Sequence, residues 1–264
     1  MTAVNLGGFV DELATLSGEV ILPFFRSTIG AEDKSRGGRF DPVTEADRAA
    51  ENAIRQKLAE VFPGHGIVGE EFGEHNADAD YVWLIDPIDG TKSFISGLPL
   101  WGTLIGLRHR DKAVYGVMNQ PFTRERFIGD GKTSRWRGLS ATSEITERAL
   151  HTRACASLAS ATVMTTSPWL LSDAQRERYH RVEGKARLHR YGGDCYAYCM
   201  LAAGFVDVVI EAGLKPYDVA ALIPIVEGAG GVITTWTGES ALAGGAVIAA
   251  GDRRVHAQAC KLLA

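Results

Sequence analysis

Residues 83–94 read WLIDPIDGTKSF, and the fold turns on this string. The apolar run from Tyr81 to Ile85 reads as a buried strand. It ends in Asp86, and a second acid, Asp89, follows three residues later, then Gly90 and Thr91. Two carboxylates at the carboxyl end of a strand, with Pro87 stiffening the turn between them, can share a metal ion. Gly90 lets the backbone come close to a ligand, and the next helix aims its free N–H groups at an anion. Metals beside an anion-binding turn point to phosphate chemistry. The plain alternative is an ordinary Asp-Gly-Thr turn with an Asp capping a helix.

Two more acidic clusters favour the metal reading. Gly69-Glu70-Glu71-Phe72-Gly73 follows a short apolar strand, Gly66 to Val68. Adjacent acids in a loop are usually solvated, but at the end of a core strand they call for a cation. In Lys215-Pro216-Tyr217-Asp218-Val219-Ala220-Ala221, Asp218 opens a helical run ending near Gly228. As an N-cap it can still turn one oxygen toward a metal.

Together the blocks GEE, DPIDGT and D-x-A-A resemble the inositol monophosphatase family of magnesium-dependent phosphomonoesterases. Asp41-Pro42-Val43-Thr44-Glu45-Ala46-Asp47 resembles a fourth block of that family, D-x-V-T-x-x-D. The resemblance covers nearly the whole chain, in order and at family-like spacing. It implies a mixed α/β fold, a five-layer α-β-α-β-α sandwich. An N-terminal lobe of residues 1–145 would carry most metal ligands. A C-terminal lobe of residues 146–264 would carry Asp218 and the substrate-contacting residues, the two forming one compact unit.

The string after Asp89 separates subgroups. Lys92-Ser93-Phe94, then Leu98-Pro99-Leu100-Trp101-Gly102-Thr103, looks like the histidinol-phosphate phosphatase branch rather than the inositol enzymes. So does Arg190-Tyr191-Gly192-Gly193-Asp194-Cys195. An acid at 194 suits a cationic substrate, and histidinol phosphate carries an amine and an imidazole. The alternative role for Asp194 is to cap a helix over residues 196–204.

The resemblance further implies two or three Mg²⁺ ions held by Glu70, Asp86, the Ile88 carbonyl, Asp89 and Asp218, with Asp86 bridging. Thr91, paired with Asp47, would orient the attacking water, and Glu70 would help draw its proton. Water would attack phosphorus directly, without a phosphoenzyme. Gly90 and Thr91 amides would hold phosphate oxygens, while Gly193, Asp194, Glu211 and Arg190 face the organic part. Glu211 also reads as a solvated strand end, and Arg190 as the salt-bridge partner of Asp194 or of a neighbouring subunit. Glu71 and Lys34 are outer candidates, although the loop holding Lys34 is spaced unlike the family pattern.

Composition sets bounds. At 264 residues the chain can bury a substantial core. A formal charge of −4 argues against nucleic acid as the main partner. No apolar stretch approaches the ~20 residues of a membrane span, and residues 1–8 lack a signal pattern. Cys155, Cys195, Cys199 and Cys260 form no C-x-x-C pair and read as free thiols in a reducing cytoplasm. The histidines show no zinc spacing. The expected partner is a small phosphomonoester, with no nucleic acid and no membrane. The family resemblance adds a homodimer.

Helical periodicity covers residues 4–26, and glycines and charges over residues 30–39 mark a mobile loop. Thr44 starts a second helix, with Asp47 as in a capping box, ending at Pro63-Gly64. Strands are expected at 103–108, 113–120, 124–129 (followed by a hairpin turn at Asp130-Gly131), 161–165, 186–190, 205–211, 232–235 and 246–250. Helices are expected at 172–182, 196–204, 219–228 and from Arg253.

Competing readings differ in chemistry. A haloacid-dehalogenase-type phosphatase uses acids two apart, near the N-terminus, one of them a nucleophile. Within the family, inositol-1-phosphate and 3′-phosphoadenosine nucleotides are alternative substrates. In another class, the chain would serve mainly as a binding partner, which the intact acids at 47, 70, 86, 89 and 218 oppose.

Overall fold

In the computed structural model, the chain around Asp86 forms one strand, β5 (Tyr81–Asp89), buried from Val82 to Ile88. A continuous apolar run of this kind fits a strand covered on both faces. The structure describes residues 5–27, 32–33 and 42–264. Asp41, Lys34 and all of the expected loop at 30–39 except Glu32 and Asp33 lie outside the described residues.

Strands β1 (Glu32–Asp33) and β2 (Pro42–Val43) pair with each other. A larger sheet has eight strands. These are β3 (Gly66–Gly69), β4 (Gly73–His75), β5, β6 (Gly102–His109), β7 (Lys112–Gln120), β8 (Glu125–Gly129), β9 (Ser134–Leu139) and β10 (Ile145–Ala149), in the order β10-β9-β8-β7-β6-β5-β3-β4. The second sheet has five: β11 (Thr162–Thr165), β12 (Leu188–Tyr191), β13 (Val208–Leu214), β14 (Val232–Thr235) and β15 (Gly245–Ala250), in the order β12-β11-β13-β15-β14.

Helices α1 (Leu6–Ile21) and α2 (Glu45–Val61) pack on each other and on β5, β6 and β7. A short helix, α3 (Thr91–Ile95), leaves the end of β5. Between the sheets lie α5 (Asp194–Ala202), α6 (Pro216–Val219) and α7 (Leu222–Gly228); α5 and α7 touch strands of both sheets, and α6 touches β5 and β6. Outside the smaller sheet, α4 (Asp173–Glu183) packs on α8 (Arg253–Leu263), and α8 on β15. The result is the five-layer α-β-α-β-α sandwich. None of the described helices is long and apolar enough to cross a membrane, and the four cysteines are free thiols.

Three local expectations change. The first helix stops at Ile21 instead of running to 26, because Pro23 has no N–H to continue the ladder; Phe24 and Phe25 instead make tighter i→i+3 turns. The helix expected at 219–228 is split into α6 and α7, since Pro224 cannot donate to the Ala220 carbonyl. Strands β4, β9 and β10 were not anticipated. β4 and β10 are exposed edge strands without an inward apolar set. The turn at Asp130 does form, with its Oδ1 accepting the Lys132 and Thr133 N–H groups at 2.8 and 2.7 Å.

Candidate active site

Asp86 and Asp89 are three residues apart, so a regular strand would send them to opposite faces. The register against β6 slips by one residue between them: Asp86 pairs with Leu104, and Asp89 with Gly102. This bulge returns both carboxylates to one side. Asp218 joins them, and oxygens from the three acids lie within 4.8 Å of one another.

Asp218 arrives on α6. It is the third helical residue rather than the cap; Lys215 is the N-cap, and Asp218 Oδ2 accepts the Lys215 N–H at 2.7 Å. The segment after α6 sits directly on the larger sheet. A Cβ at Gly106 would lie 2.8 Å from the Ala221 nitrogen, and one at Gly116 only 2.0 Å from the Ala221 carbonyl oxygen. These facing glycines of β6 and β7 let Asp218 reach Asp86 and Asp89.

Glu70 follows β3, its N–H bonded to the Ile85 carbonyl at 3.2 Å. Its side chain stands beside that of Asp86. Burial holds Asp86 well above the usual carboxylate range, and the charges of Glu70, Asp89 and Asp218 raise it further. Burial does the same to Asp89, joined by Asp194 and Asp218, while the bond from Cys195 works the other way. Burial lifts Asp218 to about 7. A divalent cation reverses every one of these penalties, and an all-oxygen carboxylate donor set suits a hard ion such as Mg²⁺. Glu70, Asp86, Asp89 and Asp218 could hold such an ion. The Ile88 carbonyl is close to them in the chain and accepts the Thr91 hydroxyl at 3.1 Å.

Asp47 and Thr91 are not paired by any hydrogen bond among the described residues. Asp47 folds back on its own helix start, where its Oδ2 accepts the Thr44 N–H at 2.8 Å and the Thr44 hydroxyl at 2.6 Å. Burial raises Asp47 to about 7, with Glu71 and Glu70 adding to it, so it stands beside the acidic loop. Gly90 caps α3 in the left-handed region at φ +90, where a Cβ would approach Asp194 Oδ2 to 3.0 Å. Asp89 and Asp194, which lie far apart in the chain, therefore meet beside a glycine.

On the C-terminal side, Gly193 at φ +111 caps α5 and Asp194 is its first residue. Asp194 Oδ2 accepts the Ser93 hydroxyl at 3.0 Å; burial raises this carboxyl, against the pull of Ser93 and Lys92. Glu211, on β13, accepts the Thr166 N–H at 2.6 Å and the Thr165 hydroxyl at 3.3 Å, and burial lifts it to about 7. Asp89, Asp194, Glu211 and Asp218 line one cavity of about 360 Å³, together with Leu170 and Tyr198. No Lys, Arg or His is among its described lining residues. Arg190 is elsewhere, exposed on edge strand β12. Tyr198 was not anticipated. Its buried hydroxyl has no partner among the described residues. The available signal was its position one helical turn after Asp194, on the same face.

The pattern of the inositol monophosphatase family matches residues 8–264. The chain belongs to the inositol monophosphatase family. It is 46% identical over 265 residues to a chloroplastic bifunctional phosphatase IMPL2 of Arabidopsis thaliana, covering 96% of this chain and 73% of that one. It is 37% identical to a histidinol-phosphatase of Chlorobaculum parvum, over 89% of this chain and 87% of the relative. A solved inositol monophosphatase from Zymomonas mobilis superimposes with a TM-score of 0.85 at 39% identity, covering 97% of this chain and 96% of that one. This inositol monophosphatase-family phosphatase therefore shares its architecture with enzymes named for more than one substrate.

Proposed function

We propose that this family member hydrolyses histidinol phosphate to histidinol and phosphate, a step of histidine biosynthesis, by direct attack of water with Mg²⁺ as cofactor. The observation that carries the reading is the pair Asp194, half-buried, and Glu211, buried, facing a cavity with no Lys, Arg or His among its described lining residues; Lys92 acts on Asp194 from outside that lining. Two desolvated acids of this kind are satisfied by a ligand that brings positive charge, as an amine and an imidazole do. A neutral polyol brings none. The likeness to the Chlorobaculum parvum histidinol-phosphatase supports the same reading.

Glu70, Asp86, Asp89, Asp218 and the Ile88 carbonyl would hold two or three ions. When bound, these supply positive charge that offsets the phosphate dianion and the charge growing on the leaving oxygen. The Gly90 and Thr91 N–H groups, at the start of α3, hold phosphate oxygens. Thr91 spends its own proton on Ile88, so its oxygen is left to accept an O–H of the attacking water. Glu70 takes the proton that this water loses as its oxygen bonds to phosphorus. The ester P–O bond breaks, and the alcohol oxygen leaves with a proton from solvent. Asp47 braces the start of α2 beside Glu70.

The test is phosphate release with Mg²⁺ from histidinol phosphate, inositol 1-phosphate and adenosine 3′,5′-bisphosphate. Histidinol phosphate is expected to give the highest kcat/KM, and Asp194→Ala to lower that value more than the value for inositol phosphate. Equal losses would refute the role of Asp194. The Zymomonas mobilis likeness favours inositol 1-phosphate as the second reading, and a win for that substrate would establish it. A metal-titrated assay flat on all three would point to a binding role.

A further inference from the structure

Helix α2 carries a second buried carboxylate beyond Asp47. Glu51 stands one turn further along, its side chain fully buried. Its Oε2 accepts the Glu71 N–H at 2.7 Å. Its Oε1 accepts the Phe72 N–H at 3.2 Å and Arg55 Nε at 2.7 Å. Arg55 also donates to the Gly73 carbonyl. Gly69 completes the arrangement from the other side: a Cβ there would lie 2.0 Å from Glu51 Oε1 and 2.8 Å from Arg55 Nη2. Glu70 lies between the glycine that admits the Glu51 carboxylate and the two amides that this carboxylate holds.

We propose that Glu51 is a positioning residue of the active site. Through the Glu71 and Phe72 amides it fixes the loop that presents Glu70 to Asp86 at the separation a shared divalent cation requires. The inference rests on the reading of Glu70 as a metal ligand. Three donors converge on two oxygens, so only a group that accepts at both ends satisfies them. A glutamine of the same shape would turn an NH₂ against an N–H and leave a buried donor unsatisfied. The Arg55 guanidinium neutralises the charge that this acceptor needs. Residues that orient a metal ligand from behind typically alter metal affinity by about 10–100-fold when changed.

The experiment compares Glu51→Gln with the wild-type chain by amide hydrogen exchange in EDTA, Mg²⁺ calorimetry, steady-state kinetics and thermal melting. Amides of residues 70–73 are expected to exchange at least ~10-fold faster in the variant, while those of β5 stay protected. Mg²⁺ affinity should fall ~10-fold or more and kcat should fall with it, leaving KM within ~3-fold. Gly69→Ala, which displaces the same carboxylate without removing it, should reproduce the pattern. Arg55→Gln serves as the third probe if Glu51→Gln does not fold. A lower melting temperature with wild-type loop exchange and wild-type Mg²⁺ affinity would overturn the proposal, leaving Glu51 a stabilising residue only. A wild-type chain that takes up no Mg²⁺, with faster loop exchange in the variant, would overturn the assignment of Glu70 and the proposal with it.

Discussion

The backbone N–H of Cys195 donates to Asp89 Oδ2 at 2.6 Å, across 106 residues of chain. Cys195 is the second residue of α5, so this N–H is one that the helix cannot satisfy internally. A crossed bond lies beside it, from the Ser93 hydroxyl to Asp194. The larger sheet thus supplies an acid to the helix start, and the helix supplies one to α3. The site is a seam between layers, and its geometry depends on β5, α3 and α5 being in register.

Asp89→Asn tests how the acids trade stability for cation binding. An asparagine can keep its oxygen on Cys195 and turn its NH₂ toward Asp218. In EDTA at pH 8 the variant should be more stable than wild type by about 1–3 kcal/mol, since one of several buried like charges is gone. Its phosphatase activity with Mg²⁺ should fall by at least ~100-fold. A variant both inactive and less stable in EDTA would contradict this account.

The metal-free protein should lose stability as pH rises. Glu211 and Asp218 are each lifted by burial to about 7, from ordinary values of 4.5 and 3.8. Between those values and pH 7 the native state holds protons that the unfolded chain has released, so unfolding becomes easier with each step in pH. The effect is fully developed once pH passes about 7, and is on the order of 3 kcal/mol for a fully buried acid such as Glu211. Melting in EDTA from pH 4.5 to 8 should show the decline, and saturating Mg²⁺ should raise the melting temperature most at the alkaline end. A flat or rising EDTA profile would mean that the acids are not buried together.

Much of this site is legible in the sequence, for a definable reason. Asp86, Asp89 and Asp218 each sit where an apolar run meets a turn, and a charge in such a place needs a partner that the local chain does not supply. The bulge that puts Asp86 and Asp89 on one side is not legible, because it arises from pairing with β6, in particular with Leu104 and Gly102. Nor is the bond between Ser93 and Asp194, a contact of sequence separation 101. Glu51 left a usable trace: with Asp47, Ile54 and Leu58 it follows the buried stripe of α2, and an acid on such a stripe has work to do there. Arg190 stands apart from these residues. Asp194 and Cys195 line the cavity, while Arg190 belongs to the exposed edge strand before them.

Arg153→Ala should separate stability from chemistry. Asp207, only 1% exposed, accepts Arg153 Nε and the Thr162 N–H, each at 2.7 Å, which ties the start of β11 to the turn before β13. Burial alone would raise the Asp207 carboxyl, but the bonds from Arg153 and Thr162 outweigh it and hold the pKa below its ordinary value. That contribution is present above pH ~4 and is lost as pH falls through the depressed value. Removing Arg153 strands a buried charge, so the variant should lose about 2–4 kcal/mol in urea at pH 7, and less below pH 4. Its kcat/KM with Mg²⁺ should stay within ~2-fold of wild type. A large kinetic loss in a folded variant would show that the smaller sheet transmits strain to Glu211.

Gly116→Ala should damage the site from beneath. The added methyl would meet the Ala221 carbonyl carbon at 2.7 Å as well as its oxygen, and neither backbone atom can turn away as a side chain could. The segment joining α6 to α7 must lift off β7, and Asp218, three residues upstream, moves with it. A stability loss of about 2–3 kcal/mol or more is expected, together with weaker Mg²⁺ binding measured by calorimetry on the folded fraction. Gly64→Ala is the control, because nothing lies within 4 Å of a Cβ there, and its effect should stay within ~0.5 kcal/mol. If Gly116→Ala lowered stability but bound Mg²⁺ as wild type does, Asp218 would not depend on the close approach of α6 to the larger sheet. The seating of that acid would then have to come from the Lys215 cap alone.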